Sequence, residues 1–312
     1  MSQSKVLSDV QSSALLEIGR ELRRSDYSFV TITPASHARV LAREPGRASS
    51  LRDVFGWNLP FEPGVLSSHL RECLERADAL QPHGDLWRVT VRFSTLGPDL
   101  FVHSGFPTTA ERSVFFGPDT YRFVRFIQRA AVPARRILDV GCGSGAGGIA
   151  LRTLALERLL LCDINLNALA FARVNAELAG AAVELIESDV LQAVPGELDL
   201  IVANPPYMAD QAGRIYRQGG GAYGEALSVR IVREALPRLA AAGTLLLYTG
   251  APVVCGVDVF HEAVMPILAQ DPRVASVHYE ELDVDVFGEE LSTAAYSNVD
   301  RIAAVGLTVR LA

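Results

Sequence analysis

The chain has 312 residues, 49% hydrophobic and 21% charged, the make-up of a core-forming protein rather than a disordered or repetitive one. At about 100–200 residues per domain it has room for two domains. The net charge of −7 falls wholly in the later part: residues 1–114 carry 13 basic and 13 acidic side chains, the remainder 16 and 23, so strong non-specific nucleic-acid binding is not expected. Lys5, in a polar N-terminal stretch, is the only lysine among the 29 basic residues. P-loop and pyridoxal chemistries each need a lysine at the site, so both are excluded. No apolar run approaches the roughly 18–20 residues of a membrane span, and the N-terminus lacks a signal-peptide core, so a cytoplasmic protein without membrane contact is expected. Cys73, Cys142, Cys162 and Cys255 form no CxxC pair, and the six histidines no HxxxH pair, so no metal site is expected.

Leu7, Val10, Ala14, Leu15, Ile18 and Leu22 recur at helical spacing and predict an amphipathic helix over residues 6–24. Thr33-Pro34 opens a second helix that Glu44-Pro45-Gly46 closes. A third follows Pro63, with Val65, Leu66, Leu70, Cys73, Leu74 and Ala77 on one face. Trp87, Val89, Val91 and Phe93 then alternate with Arg88, Thr90, Arg92 and Ser94, which predicts one half-buried strand. A turn at Leu96-Gly97-Pro98-Asp99 returns Leu100-Phe101-Val102 as its hairpin partner. Residues 1–114 thus read as a small α+β, winged-helix-like module, a lid or recognition element.

From Arg136 short apolar runs alternate with helical stretches. The predicted strands are Ile137–Val140, Leu159–Cys162, Val183–Ile186, Leu198–Ala203, Thr244–Tyr248, Ala275–Glu280 and Ile302–Val309, with helices at Leu166–Ala179 and Glu225–Leu239. That alternation predicts an α/β domain over residues 115–312, with a doubly wound sheet and ligands at the strands' carboxyl ends. The first strand runs into Asp139-Val140-Gly141-Cys142-Gly143-Ser144-Gly145. Glycines at 141, 143 and 145 let backbone turn sharply beside a ligand. The loop equally satisfies the dinucleotide fingerprint, and Asp163 after the second strand can hold a ribose diol in either case.

Asp189 follows the third strand, where a carboxylate can accept from an adenine amino group, and the fourth strand ends in Asn204-Pro205-Pro206-Tyr207. Together these resemble the class I S-adenosylmethionine-dependent methyltransferases, in the branch that modifies glutamine amides or exocyclic amines of nucleobases. The resemblance implies a Rossmann-like, mainly parallel seven-stranded sheet. It also implies that S-adenosylmethionine is held by Asp139, Gly141, Gly143, Gly145, Asp163, Asp189 and Asn204. Pro118-Asp119-Thr120-Tyr121-Arg122-Phe123-Val124 resembles the P-[DE]-T-E-x-[LF]-V segment of the release-factor glutamine methyltransferases, with Tyr121 at the family's glutamate position and Gly117 where arginine is usual. In that family the segment borders cofactor and substrate, which makes Tyr121 a substrate-binding candidate beside Pro206 and Tyr207.

The chemistry suits these residue types. An amide or aryl-amine nitrogen is a poor nucleophile because its lone pair is delocalised. The Asn204 side-chain oxygen and the Pro205 carbonyl can accept its two N–H bonds, and the prolines restrict the backbone so that both acceptors converge. Tyr207 can stack on the planar group and aim the lone pair. The expected catalytic set is therefore Asn204, Pro205 and Tyr207, acting on a protein glutamine, a nucleobase or a small molecule. The rival readings are a pathway enzyme that methylates a metabolite or uses the sulfonium in another displacement, a nicotinamide oxidoreductase, which leaves Asp189 and the NPPY tetrapeptide unexplained, and a cofactor-binding scaffold without activity, against which the intact Asn204 and Tyr207 argue. The Gln211–Gly221 stretch, with three consecutive glycines, is read as either a substrate gate or a surface connector.

Overall fold

The computed structural model describes residues 7–43, 46–108, 110–210, 214 and 216–312. The first helix, α1 (Asp9–Arg24), starts at a capping box in which the Ser8 hydroxyl accepts from the Gln11 N–H and the Gln11 side chain accepts from the Ser8 N–H. Ala14, Leu15, Ile18 and Leu22 are fully buried, as their spacing predicts, but Val10 is exposed. Helix α2 (Pro34–Leu41) is capped by Thr33, and residues 44 and 45 of its predicted stop lie outside the described residues. The short α3 (Leu51–Phe55) was not predicted; Ser50 and Asp53 cap it reciprocally. The helix expected after Pro63 begins later, as α4 (Ser68–Arg76), because the Ser67 hydroxyl caps Leu70 and Pro63–Val65 form only a single tight turn.

The single strand expected over residues 87–93 is two strands. β1 (Leu80–His83) pairs with β2 (Leu86–Val89), and β3 (Val91–Leu96) pairs with β4 (Asp99–Ser104), both antiparallel. Thr90 joins the hairpins: its N–H goes to Ala79 and its carbonyl accepts from Gly105, so neither group is left for one continuous ladder. Nor is β3 half-exposed. Arg92 and Ser94 are buried, Arg92 donating to the Gly56 carbonyl (2.8 Å) and Ser94 lying against Thr31 (2.5 Å) and His103 (2.9 Å). Both tryptophans are here: Trp57 meets Phe29 edge-on at 5.1 Å, and Trp87 bridges to Phe61.

The remainder is one sheet wrapped by helices. In chain order come α5 (Pro118–Ala130), β5 (Ala134–Val140), α6 (Ala146–Ala150), β6 (Ala155–Asp163), α7 (Leu166–Ala179), β7 (Glu184–Glu187), β8 (Leu198–Ala203), α8 (Ala226–Ala235), β9 (Leu239–Val254), β10 (Val257–Asp258), α9 (Val259–Gln270), β11 (Val274–Asp283) and β12 (Arg301–Leu311). The spatial order is β11-β12-β9-β8-β5-β6-β7, and β10 adds a two-residue return on β9. β5 through β9 run parallel, while β12 lies antiparallel between β9 and β11. This is the expected seven-strand path plus one short extension, and the strand order reverses between β5 and β8, where ligands of such sheets bind. α8 stops at Ala235 because Pro237 denies the next turn a donor, shorter than the stretch predicted to Leu239.

Three apolar clusters hold the structure. One sheet face packs on α5, α6 and α7 through side chains such as Phe123, Ile127, Ile149 and Ala172; the other packs on α8 and α9 through Ile231, Val232, Phe260 and Val264. The third cluster gathers α1, α3, α4 and both hairpins, and it is completed by Ala168, Phe171, Val174 and Leu178 of α7. α1 reaches α7 closely because Gly19 has no side chain: a Cβ there would stand 2.7 Å from Leu178 Cδ1. Arg152 adds a two-pronged ion pair to the nearly buried Asp99 (2.8 and 3.1 Å). One helix therefore serves both halves of the chain. No helix among the described residues is long and apolar enough to cross a membrane.

Candidate active site

A cavity of about 420 Å³ opens at the carboxyl ends of β5, β6, β7 and β8. Gly141 and Gly143 face it with φ of +64° and +54°, and no atom lies within 4 Å of where a Cβ would stand. A side chain at either position would be strained and would also project into the room that a ligand needs. Gly145 is different. It also has positive φ, but it caps α6, a Cβ there would press on Ala172 and Ile149 at 3.1 Å, and it does not line the cavity. Its place is in the turn and in helix packing, which corrects the expectation of ligand contact.

The expected carboxylates all reach the cavity wall, each already engaged. Asp139 is buried and accepts the Gly148 N–H at 2.7 Å, pinning the start of α6. Burial pushes its pKa up to about 7, the nearby Asp163 adds to this, and the Gly148 N–H opposes it. Asp163 accepts the N–H groups of Gly143 (2.9 Å) and Asn165 (2.8 Å); burial raises its pKa and these bonds hold it back. Asp189 stands at the rim and is gripped at both oxygens by Arg230 (2.8 and 3.0 Å). An adenine amino group can use only the lone pairs that Arg230 leaves.

Two expected outcomes follow. An acid whose pKa is raised in the folded state binds more protons folded than unfolded. Its contribution is complete below the unfolded value of about 4 and is lost as pH rises through about 7. Urea titrations across that window should show stability falling with pH from this group, and Asp139→Asn should flatten that component; an unchanged pH slope in the variant refutes the assignment. Asp163→Ala removes both the loop tether and a charged acceptor, each such bond contributing about 1.5–3 kcal/mol, so calorimetry should show S-adenosylhomocysteine affinity falling by roughly 10²-fold or more. Tight NADH binding with no response to the sulfur ligand would instead favour the oxidoreductase reading.

A smaller cavity of about 70 Å³ adjoins the first. Asn204, Pro205, Pro206, Phe115 and Tyr216 line both. Asn204 emerges from the end of β8, and among the described residues its amide makes no hydrogen bond to protein. Tyr207 lines only the smaller cavity, with its ring against Gly250, where a Cβ would be 2.3 Å away, and edge-on to Phe287 at 6.0 Å. Among the described residues its buried hydroxyl meets no partner at full hydrogen-bond geometry, but it faces the Asp119 carboxylate, and burial together with that charge pushes its pKa well up. Asp119 is itself fixed by Tyr248 (2.8 Å) and Arg122 (3.1 Å).

Tyr121 does not join this group. Its hydroxyl accepts the Thr31 N–H (3.2 Å) and its ring meets Phe116 edge-on, so it ties α5 to the first module and lines neither cavity. Wall residues without a sequence signal include Ser113, Val114 and Phe115, and Tyr216 of the Gln211–Gly221 stretch joins them. Phe115 and Tyr216 stack parallel and offset (centroids 5.9 Å apart, 3° between planes), and the Tyr216 hydroxyl donates to the Thr108 carbonyl at 2.8 Å. Of the expected gate, residues 211–213 and 215 lie outside the described residues. Within the described remainder Gly219 is packed, since a Cβ there would fall 1.9 Å from the Gly224 carbonyl oxygen, while Gln218 and Gly221 are exposed. Away from the site, Glu17, His69 and Cys73 approach one another, but Arg76 donates to both Glu17 and Cys73, so a cation already stands there.

Comparison with known proteins agrees with this geometry. The methyltransferase small domain family matches residues 120–251. A release factor glutamine methyltransferase of Lactococcus lactis subsp. lactis (strain IL1403) is 40% identical over 102 residues, 32% of this chain and 37% of that protein. A ribosomal RNA small subunit methyltransferase C of Ectopseudomonas mendocina (strain ymp) is 30% identical over 164 residues, 44% of this chain and 50% of that one. The chain thus spans half or less of the length of these curated relatives. The crystal structure of wild-type Trm5b from Pyrococcus abyssi shares the fold, with a TM-score of 0.52 at 16% identity over 78% of this chain and 68% of that one. The cavity fits the cofactor of such enzymes, with open space over Gly141 and Gly143 and a carboxylate at the end of β6. The part of the chain that carries most of this cavity, residues 120–251, is thus similar to methyltransferase small domains.

Proposed function

We propose that the protein methylates a planar nitrogen, a glutamine-type amide or an exocyclic amine of a nucleobase. The observation that supports this is the placement of Asn204 and Pro205 on the wall common to two adjoining cavities, with the Asn204 amide unengaged. The larger cavity would hold S-adenosylmethionine through the 141–143 turn and Asp163. Bound there, the cofactor supplies an electrophilic methyl group and leaves as a neutral thioether. The Asn204 side-chain oxygen and the Pro205 carbonyl accept the two N–H bonds of the acceptor, which holds the nitrogen and enriches its electron density. Tyr207, pinned by Gly250 and Phe287, limits the tilt of the acceptor plane. The methylated nitrogen is strongly acidic and sheds its proton without a dedicated base.

Both named relatives act on translation components, one described as a release factor methyltransferase and the other as a ribosomal RNA methyltransferase, which supports these acceptor classes. Incubating the protein with methyl-labelled cofactor and cell extract, then fractionating, tests the proposal. Label recovered as N-methylglutamine or as an N-methylated base supports it. Label recovered only on carboxyl oxygen, on thiol or on carbon overturns it.

A further inference from the structure

Asn175 lies on α7 with its side chain fully buried, and its amide touches both halves of the molecule. Its Oδ1 accepts the Val102 N–H at 2.7 Å, while Nδ2 donates to the Val102 carbonyl at 3.0 Å. Val102 is opposite Phe93 in the β3–β4 hairpin, so these backbone groups face away from β3, and Asn175 occupies the edge as a neighbouring strand would. The same Nδ2 donates to the Ser144 carbonyl at 2.8 Å. Ser144 lies between Gly143 and Gly145 on the wall of the larger cavity. Among the described residues, Asn175 is the only side chain that bonds both the first module and this loop.

We infer that Asn175 is a positioning residue through which the first module orients the cofactor loop, so that cofactor affinity and the order of the β3–β4 hairpin are linked. The 141–145 loop has three left-handed glycines and so little intrinsic preference for one path. Its other restraints come from the catalytic half: Gly143 N–H to Asp163, Cys142 N–H to the Cys162 carbonyl, and Gly145 N–H to the Cys142 carbonyl. The Ser144 carbonyl is held by Asn175, whose own rotamer is fixed by Val102. Linkage is reciprocal, so a ligand that orders the loop must also tighten the grip on Val102.

The test uses S-adenosylhomocysteine and the full-length chain, with amide exchange followed residue by residue. In the parent protein the ligand should slow exchange at Val102 at least fivefold more than at Leu15, a buried amide of the same module that Asn175 does not touch. Asn175→Ala should weaken the ligand roughly tenfold and abolish the selective slowing. Equal slowing at Val102 and Leu15 overturns the inference, because the ligand would then act through overall stability alone. So does a variant that melts earlier yet binds the ligand within twofold of the parent. Should Asn175→Ala fail to fold, the comparison of Val102 with Leu15 in the parent decides.

Discussion

Asn204→Ala should turn over its acceptor roughly 10²–10³ times more slowly while binding S-adenosylhomocysteine about as well as the parent chain. The asymmetry comes from where the amide stands. It makes no bond to protein among the described residues, so its loss leaves no buried group unsatisfied, and the fold should be nearly indifferent. It lies on the wall shared by the two cavities, so what is lost is a preorganised partner for the acceptor nitrogen. Single-turnover rates with the identified acceptor, beside calorimetric titration of the ligand, separate the two quantities. Normal turnover in the variant would reduce Asn204 to a turn-forming residue and remove the main support for a nitrogen acceptor.

A chain begun at Ser113 is expected to be insoluble or loosely folded and to bind the sulfur ligand poorly. Truncation strips the cover from Ala168, Phe171, Val174 and Leu178, four buried apolar side chains on one face of α7. Each larger one contributes about 1.5–3 kcal/mol on burial, so their sum approaches the about 5–15 kcal/mol by which a whole domain is stable. The Asp99 partner of Arg152 and the Val102 partner of Asn175 vanish with the same cut. Circular dichroism melts and ligand titration of the shortened chain check this. A soluble shortened form with a sharp melt and the parent's ligand affinity would show that the part carrying the large sheet stands alone.

How far the sequence predicts the structure depends on how local the determining interactions are. α7 and β8 match their predicted limits to the residue: α7 is bounded by the Asn165 cap and by Gly180 at φ +66°, and β8 is apolar and buried apart from the half-buried Asp199 near its start. α9 went unpredicted because Pro266 interrupts a stretch that the Asp258 cap nevertheless starts. The alternation in β3 was misread because alternation reports polarity, and the polar face of that strand is covered by Thr31, Gly56 and His103. Within the site, the glycine turn, Asp163, Asp189 and Asn204 were legible because each follows a strand, and parallel strands place their ends together. Phe115 and Tyr216 come from connectors without periodicity; the neighbouring Pro118–Val124 segment hinted at the first, and the second lies in the Gln211–Gly221 stretch read as a gate or a connector. Tyr121 belongs to that segment, yet it stands one residue past the cavity-lining Thr120 on α5, and that step around the helix directs it to Thr31.

The two tryptophans, Trp57 and Trp87, both lie within residues 1–114, and residues 115–312 have none. Excitation near the red edge of the protein's absorbance therefore gives an optical signal from one part of the molecule without any label. Far-ultraviolet dichroism is dominated by the large sheet and its helices, which belong to the other part. Denaturation followed by both signals compares the two halves in one sample, and because α7 completes both cores the two curves should coincide. Emission that shifts before the dichroism does would mean that the first module peels away while the sheet remains intact.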